Sequence, residues 1–292
     1  MSVASIASPG WRAGLRLQFS ARGTQTWLSR REHYGPLRVQ RSFYPERVHA
    51  DPPQHRLAGE QRASGPCHTY LVHPPGGIVG GDELHIQIEV TDGAHAVLTT
   101  PAATKFYRSD GRVARQLQQI SLGAAALEWL PQETIFYPGA RARSATRVDL
   151  GAGSRFIGWE IPCLGLPARQ EKFDSGHLAL DLELWRNQRP LFVDRLRIDG
   201  ESVARGALCE LAGHHAIGTL LAYPADPGLL ALVRATACEG TQVAATLVDG
   251  VLMCRALADQ AEFVRRTFVT LWRAIRPRLL GCEAVLPRIW AT

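Results

Sequence analysis

The segment LHIQIEV, from Leu84 to Val90, alternates apolar and polar residues without a break. Successive side chains of a β-strand point to opposite faces, so this alternation predicts a strand with one apolar face and one wet face. The same period recurs at Leu15–Phe19 and at Leu178–Leu184. Sheets that are buried on one face are therefore expected to form most of the protein.

Seven further segments also have strand character, and turn signals separate several of them. The segments are Leu37–Arg41, Thr69–His73, Ala96–Thr100, Val113–Leu122, Leu127–Leu130, Arg155–Ile161 and Leu191–Ile198. The pairs Asp92-Gly93, Asp110-Gly111 and Asp199-Gly200 are typical of tight turns. Strands at this spacing predict stacked, largely antiparallel sheets.

Two helices are predicted near the C-terminus. Asp226 followed by Pro227 is typical of an N-cap and a first helical turn. Asp259 and Glu262 resemble a capping box, and Pro277 should stop this second helix. Its apolar residues share one face, which predicts packing on a sheet. They are Ala261, Val264, Phe268, Leu271 and Ile275.

The segments Thr241–Val248 and Val251–Arg255 flank an Asp-Gly turn and predict a hairpin between the helices. The predicted fold class is mainly β, with stacked sheets, two C-terminal α-helices and a single domain over residues 1–292. Residues 50–66 are polar and contain proline without apolar periodicity, which predicts a loop. Residues 1–10 are predicted to be disordered.

The formal charge of +6 comes almost entirely from arginine, because Lys105 and Lys172 are the only lysines. The arginines are scattered, which argues weakly against a nucleic-acid-binding patch. Dispersed arginine suits bidentate pairing with the carboxylates of a protein partner, although a coding bias would give the same composition. The charge pattern therefore leaves both interpretations open.

The six cysteines include no C-x-x-C pair, so reduced and mostly buried thiols are predicted. The N-terminus lacks the basic and apolar regions of a secretory signal, and no uncharged stretch reaches the roughly 20 apolar residues of a membrane span. These features predict a cytoplasmic protein.

A glycine-rich segment, HPPGGIVGGDE from His73 to Glu83, precedes the predicted strand Leu84–Val90. Glycines allow positive φ or close backbone approach, so a tight connection between two strands is one interpretation. A phosphate cradle is the alternative, but the spacing matches neither common phosphate-binding motif and a strand follows instead of a helix. The segment is therefore interpreted as a turn.

Four carboxylates stand in or beside apolar strands: Asp82, Glu83, Glu160 and Asp194. Adjacent strand residues face opposite sides, so one of Asp82 and Glu83 should point toward the sheet interior. A buried carboxylate needs a partner, water or a metal ion. Ion pairing, such as Asp194 with Arg195 or Lys105 with a carboxylate, remains the alternative to a metal role.

Enzyme motifs are missing from the sequence. The pair His214-His215 invites a metal-ligand interpretation, yet adjacent side chains diverge, so a fixed site there is disfavoured. No H-E-x-x-H or G-x-S-x-G motif occurs, and no residue has the setting of an activated nucleophile. A hydrolase on a β scaffold, using Asp82 and Glu83, is kept as the weaker alternative.

Taken together, five ordered segments resemble the UreD (UreH) family of urease accessory proteins. They are Arg38–Pro45, His73–Asp82, Thr100–Ser109, Leu127–Gly139 and Leu286–Trp290. The resemblance runs from about Trp11 to the C-terminus. Residues 50–66 depart from it as an insertion, and residues 1–10 match no part of it.

The resemblance implies a non-enzymatic, mostly β protein that binds UreF and, through UreF, the GTPase UreG, in a complex that docks on apo-urease. It implies that nickel passes through an internal tunnel without a stably bound cofactor. The positions that resemble tunnel-lining ones are Asp82, Glu83, Thr104, Lys105, Glu160 and Asp194. A pure assembly scaffold, without metal in transit, is the alternative within the same family.

Overall fold

The computed structural model describes residues 10–46, 64–204 and 211–291. The strands in these ranges are β1 (Arg12–Arg22), β2 (Gln25–Tyr34), β3 (Arg38–Val39), β4 (Cys67–Val72), β5 (Glu83–Val90), β6 (His95–Thr99), β7 (Thr104–Phe106), β8 (Ala114–Leu122), β9 (Ala126–Leu130), β10 (Thr134–Phe136), β11 (Arg141–Leu150), β12 (Arg155–Glu160), β13 (Pro162–Leu164), β14 (His177–Arg186), β15 (Arg189–Asp199), β16 (Ala216–Tyr223), β17 (Gln242–Val248) and β18 (Val251–Ala258). The α-helices are α1 (Gly200–Ala204), α2 (Pro227–Ala235) and α3 (Ala261–Leu280).

These strands form two stacked sheets. The first sheet has seven strands in the order β15-β14-β11-β8-β5-β1-β2. The second has eleven, with β3-β4-β6-β9-β12-β16-β13-β10-β7 as its main path and the β17–β18 hairpin joined at β16. The mainly β class with C-terminal helices is thus confirmed. The single domain stays a prediction. Residues 1–9 of the segment predicted to be disordered and residues 50–63 of the predicted loop 50–66 lie outside the described residues, whereas residues 64–66 are buried and Gly65 forms a bridge with Gln25.

The expectation of largely antiparallel pairing is wrong, because the centres of both sheets are parallel. In the first sheet β5, β8, β11 and β14 pair in parallel, and in the second β4, β6, β9 and β12 do so. The chain alternates between the sheets, so that two strands of the second sheet separate each of β5, β8, β11 and β14 from the next of them along the chain. Each passage of the chain through both sheets therefore adds a strand that runs parallel to the previous strand of the same sheet.

The Asp-Gly signals explain this error. Asp92-Gly93 carries the chain from β5 in one sheet to β6 in the other, and Asp110-Gly111 lies between β7 and β8 in the same way. A turn signal marks a change of direction but does not state which sheet receives the next strand. Only Asp249-Gly250 forms the predicted hairpin, between β17 and β18.

The alternation in β5 is confirmed in full. Leu84, Ile86, Ile88 and Val90 are all at most 4% exposed, while the three polar residues between them are exposed. Their apolar side chains pack against the second sheet in a common core. By contrast, β6, β9 and β16 are buried at every position, because helices cover the far face of the second sheet.

Helix α2 begins as predicted: the Asp226 carboxylate accepts a hydrogen bond of 2.6 Å from the Leu229 amide, and Pro227 opens the first turn. The predicted apolar face of α3 is also confirmed, since its residues are buried against the second sheet. The predicted ends of α3 are wrong. Gln260 is its N-cap without a side-chain bond, and the helix passes through Pro277 to end at Gly281.

These differences have local causes. Asp259 lies next to the helix start but its carboxylate binds His214 Nδ1 at 2.8 Å, so it is engaged elsewhere. The turn after Pro277 is held by burial of Leu280 and closed by Gly281 in the left-handed conformation. Tertiary contacts thus override the helix-stopping tendency of proline.

Gly218 on β16 lets α3 approach the sheet closely. An alanine methyl at this position would lie 2.4 Å from Val264 Cγ1 and 2.5 Å from Phe268 Cζ. We expect Gly218→Ala to lower the free energy of unfolding by about 1–3 kcal/mol, because overpacking forces the helix outward. Urea denaturation measures this effect. The exposed change Gln242→Ala should shift stability by less than about 0.5 kcal/mol, and equal stability of the two variants would disprove the close packing.

A buried ion network joins α3 to the strands. The Arg276 guanidinium donates from Nε to both Glu128 oxygens, at 3.0 and 2.9 Å, and from Nη2 to Glu46 Oε1 at 2.7 Å. His95 Nε2 and Trp272 Nε1 also contact the Glu128 carboxylate, at 2.7 and 2.5 Å. Arg276 and Glu128 are both fully buried.

The pKa values in this network follow from its contacts. Burial alone would raise the pKa of Glu128, but Arg276 and His95 outweigh it and lower the pKa to about 2. Burial likewise works against ionisation of Glu46, and its bonds to His68 and Arg276 bring its pKa below the ordinary value. Both carboxylates are therefore ionised at neutral pH.

The C-terminal segment packs on the same side of the second sheet. Trp290 lies 6.0 Å from Trp159 and 6.1 Å from Trp272, measured between ring centroids. Its indole Nε1 donates to Thr99 Oγ1 at 2.9 Å. The resemblance segment Leu286–Trp290 therefore has a packing role in this fold.

Five cysteines fall within the described ranges and are free thiols: Cys67, Cys163 and Cys254 are buried, and Cys238 and Cys282 are half-buried. These positions agree with the predicted reduced and mostly buried thiols, whereas Cys209 lies outside the described residues. None of the described helices is long and apolar enough to cross a membrane.

Candidate functional site: an internal cavity with carboxylates

A cavity of about 180 Å³ lies between the two sheets. Its walls include apolar residues of the common core, but polar side chains from both sheets also reach it. The polar lining residues are His73, Thr100, Thr104, Lys105, Gln116, Gln118, Gln132, Thr134, Ser144 and Glu160. A space of this size with several polar partners can hold water.

Glu160, at the end of β12, is the carboxylate of this cavity. Burial raises its pKa, a hydrogen bond from Thr146 lowers it, and the charges of Asp194 and Asp181 raise it again, to about 7. The carboxyl group therefore exchanges its proton near neutral pH. A group poised in this way binds either a proton or another cation at modest cost.

Thr146 connects Glu160 to Gln118. Its hydroxyl lies within hydrogen-bond distance of Glu160 Oε1 and 2.5 Å from Gln118 Oε1. A hydroxyl carries one proton and can donate to only one of these oxygens. A protonated Glu160 resolves the conflict by donating to Thr146, which then donates to Gln118. The neutral carboxyl thus allows the Thr146 hydroxyl to bond to both neighbours.

A second cavity adjoins the first. It has a volume of about 20 Å³, enough for a single water molecule. Glu160, Pro162 and Leu180 line both cavities, and Asp194 lies in the wall of the smaller one. The structure therefore places Glu160 and Asp194 along two adjoining cavities, with Glu160 in the wall of both.

Asp194 connects this interior to the surface. Its carboxylate binds Arg255 Nη2 at 2.9 Å, and the two side chains are 20% and 41% exposed. Ion pairing of Asp194 was one interpretation of the sequence, but Arg195 was the wrong partner, because it points to the opposite side of β15 and pairs with Glu183. Arg255 therefore pairs with a carboxylate that forms part of the wall of the smaller cavity.

Asp82 lies away from Glu160 and is buried at 6% exposure. Its oxygens accept backbone hydrogen bonds from Trp11 at 2.8 Å and from Val79 at 3.0 Å. Gly81, with a φ of +92°, forms the turn that delivers it. The turn interpretation of the glycine-rich segment is confirmed, and Asp82 holds that turn against the start of β1.

Glu83 is placed on the outer face of the first sheet. Its carboxylate lies 3.6 Å from Arg12 and 3.4 Å from Arg115. Since Asp82 and Glu83 face opposite sides, the expectation that one of them points inward holds for Asp82. The structure does not bring Glu83 to the cavity that Glu160 lines.

Thr104 and Lys105 on β7 do line the larger cavity, near its end at Gly76 and Gly77. In the described parts of the chain, no carboxylate lies within 4.0 Å of the Lys105 ammonium, so the proposed ion pair of Lys105 is not formed there. His73 lies at the same end. Burial lowers its pKa, and the nearby Asp82 charge partly opposes this.

Within residues 10–46, 64–204 and 211–291, no three His, Cys, Asp or Glu side chains converge to form a metal site. His214 is engaged with Asp259, and the Nδ1 atom of His215 is buried without a hydrogen-bond partner among them. The two histidines therefore diverge, as expected for neighbours in sequence. The interior offers oxygen ligands singly along its length.

Sequence reasoning missed the polar residues opposite Glu160. Gln116 and Gln118 occupy inward positions of β8, and Ser144 and Thr146 occupy inward positions of β11. The alternation predicts apolar, inward-facing side chains at these positions. Polar residues there are the signal that would have identified them. Glu128 in the strand ALEWL carries the same signal as Glu160 and was also missed.

Fold and site together define a mainly β protein of coiled, stacked sheets with a polar, carboxylate-bearing interior. Comparison with known proteins makes the assignment specific. The sequence model of the family described as UreD urease accessory protein matches residues 12–291. The chain therefore belongs to the UreD family of urease accessory proteins, whose role is in urease maturation.

Individual relatives agree with this assignment. The chain is 44% identical over 285 residues to the urease accessory protein UreD of Klebsiella aerogenes, covering 97% of each chain. It is 44% identical to UreD of Pseudomonas putida strain GB-1, covering 97% of this chain and 95% of the relative. UreD of Alkalilimnicola ehrlichii is 42% identical over 294 residues, covering 99% and 94% respectively.

Proposed function

We propose that this protein serves urease maturation as a non-catalytic conduit for nickel, within a cytoplasmic complex with UreF and the GTPase UreG that docks on apo-urease. Nickel is the cargo of this process and not a resident cofactor. The observation that carries the proposal is the pair of adjoining cavities that share Glu160 in their walls.

The order of side chains along these cavities supports transit. Thr104 and Lys105 stand at one end, Glu160 at the junction, and Asp194 with Arg255 at the other end. Ni²⁺ accepts oxygen ligands, and carboxylates that occur singly bind a hydrated ion without trapping it. The Lys105 ammonium at the entrance raises the local potential and so limits how long a cation stays there.

Glu160 also supplies a reason for release of the cation. An arriving cation displaces the Glu160 proton to solvent, and uptake of a proton from solvent, which restores the neutral carboxyl beside Thr146, releases the cation. Ionisation near pH 7 makes this exchange nearly balanced. In this proposal Asp82 acts as a structural brace of the entrance turn, and Glu83 acts on the outer face instead of on the path.

Co-expression with a urease operon that lacks its own UreD tests the proposal. We expect this chain to restore urease activity and to co-purify with UreF and UreG, with GTP required for activation. Full activation in the absence of the chain would refute an accessory role. Restored activity by an Asp194→Ala, Glu160→Ala double variant would refute the conduit and favour a pure assembly scaffold.

A further inference from the structure

The outer face of the first sheet carries a row of arginines in adjacent strands. Backbone register aligns Arg12 with Glu83, Glu83 with Arg115 and Arg115 with Arg143. The next positions across the sheet are Ala179 and Arg197. Side chains in register point to the same face, so these guanidinium groups share one surface.

A depression of about 530 Å³ lies at this end of the sheet. It is lined by Arg115, Arg141, Arg143, Arg197 and His177, with Ala179 between two of the arginines. The small Ala179 side chain leaves open the space that a larger residue would fill. We name this depression the arginine site.

At this end of the face, the arginines outnumber the carboxylates beside them. Five guanidiniums (Arg12, Arg115, Arg141, Arg143 and Arg197) face three carboxylates (Glu83, Asp181 and Asp199), which leaves an excess of two positive charges. Asp199 is moreover bound to His177 at 2.7 Å.

The two arginines at the centre have unused donors. Arg143 lies 3.7 Å from Asp181, beyond a direct hydrogen bond. Arg141 has no carboxylate within 4.0 Å in the described ranges. Guanidinium groups with unused N–H donors are suited to bidentate binding of a carboxylate.

The surrounding sheet is unusual in being open on this side. Parallel sheets are normally covered on both faces. Here β5, β8, β11 and β14 pair in parallel, and their outward positions are exposed or half-buried apart from Asp181, which is buried in ion pairs with Arg143 and Arg197. No described helix packs on this face, since α2 and α3 pack on the second sheet.

We propose that the arginine site binds an acidic segment of a partner protein through several of its carboxylates. Neighbouring strands lie about 4.8 Å apart, so the row from Arg115 to Arg197 spans roughly 14 Å. This width exceeds a single small anion and matches an extended peptide with spaced carboxylates. The site lies on the opposite side of the first sheet from the cavity, so the proposal is independent of metal transit.

Fluorescence anisotropy of a labelled polyglutamate peptide added to the full-length chain tests this proposal. We expect binding that weakens with added salt. The Arg141→Gln, Arg143→Gln double variant should weaken binding by about fivefold or more, since exposed charge pairs contribute modestly and additively. Circular dichroism checks that the variant is folded, and Arg141→Gln alone, which breaks no ion pair, should give a smaller loss in the same direction.

The matched control is Arg16→Gln, Arg30→Gln, which removes the same charge from another part of the same face. We expect it to change the affinity by less than about twofold. An equal loss in both double variants would show that only net charge matters and would overturn the site. Unchanged binding by the first variant, displacement by inorganic phosphate at equal charge, or stronger competition by oligothymidylate would overturn it as well.

Discussion

The Glu160→Gln variant is expected to lose at least about tenfold in its capacity to support urease activation while remaining folded. Glutamine reproduces the shape and hydrogen bonds of the neutral carboxyl, so the contact with Thr146 survives. It carries no charge at any pH, and removing one unit charge about 4 Å from a cation costs on the order of several kcal/mol at an effective dielectric of 20. Urease activity in cells that lack another UreD measures the loss.

Stability separates this role from a structural one. Because the folded-state pKa of Glu160 is raised from 4.5 to about 7, its contribution to stability is fully present below pH 4.5 and is lost as the pH rises through 7. Glutamine cannot ionise and avoids that loss. We therefore expect Glu160→Gln to be more stable than the parent at pH 8 by about 1–3 kcal/mol.

The matched control for this experiment is Glu89→Gln, the same chemical change on the outer face of β5. It should leave both activation and the pH dependence of stability unchanged. Activation by Glu160→Gln at the level of this control would refute the role of the carboxylate. A variant that is less stable than the parent at pH 8 would show that Glu160 is needed for folding.

Arg276→Met is expected to cause the largest loss of stability, about 3–5 kcal/mol, because it leaves the Glu128 and Glu46 carboxylates buried without their cation. The methionine side chain retains most of the apolar stem of Arg276 but not the guanidinium, whose Cζ lies 5.4 Å from the centroid of the Trp272 ring. Chemical denaturation of the purified chain measures the change. A Glu128→Gln, Arg276→Met double variant should lose less than the sum of the single changes, since it removes a charge together with its partner.

The pH dependence of stability provides an independent check of the same network. The pKa of Glu128 is lowered from 4.5 to about 2, so its stabilising effect is present above pH 4.5 and is lost as the pH falls toward 2. Glu128→Gln should therefore flatten the stability curve of the protein over this acid range. An identical acid denaturation profile for variant and parent would contradict the assignment, and Glu89→Gln on the outer face of β5 serves as the control.

Local patterns in the sequence determined the elements of this fold well. The alternation at Leu84–Val90 encodes which side chains are buried, and the structure places them so. The apolar face of α3 and the Asp226 cap of α2 are likewise local signals that survive in the structure. Such patterns act through the geometry of neighbouring residues, which is the same in any fold.

Pairing between strands was decided only by the tertiary structure. Alternation has the same period in parallel and antiparallel strands, so it could not show that the chain coils between two sheets. For this reason Asp92-Gly93 and Asp110-Gly111 predict antiparallel neighbouring strands, whereas each of these turns connects strands of different sheets. The direction of each strand depends on the sheet in which the preceding strand lies, and local sequence patterns do not encode that sheet.

The candidate site shows the same division. The sequence by itself identified the family, and it identified Glu160 and Asp194 as carboxylates embedded in apolar strands. Only the tertiary structure placed those two along adjoining cavities, turned Glu83 to the outer face, and joined Glu128 to Arg276 across 148 positions of the chain. The alternation along a strand shows which face of the sheet a side chain lies on. The partner of that side chain depends on which distant element covers the face.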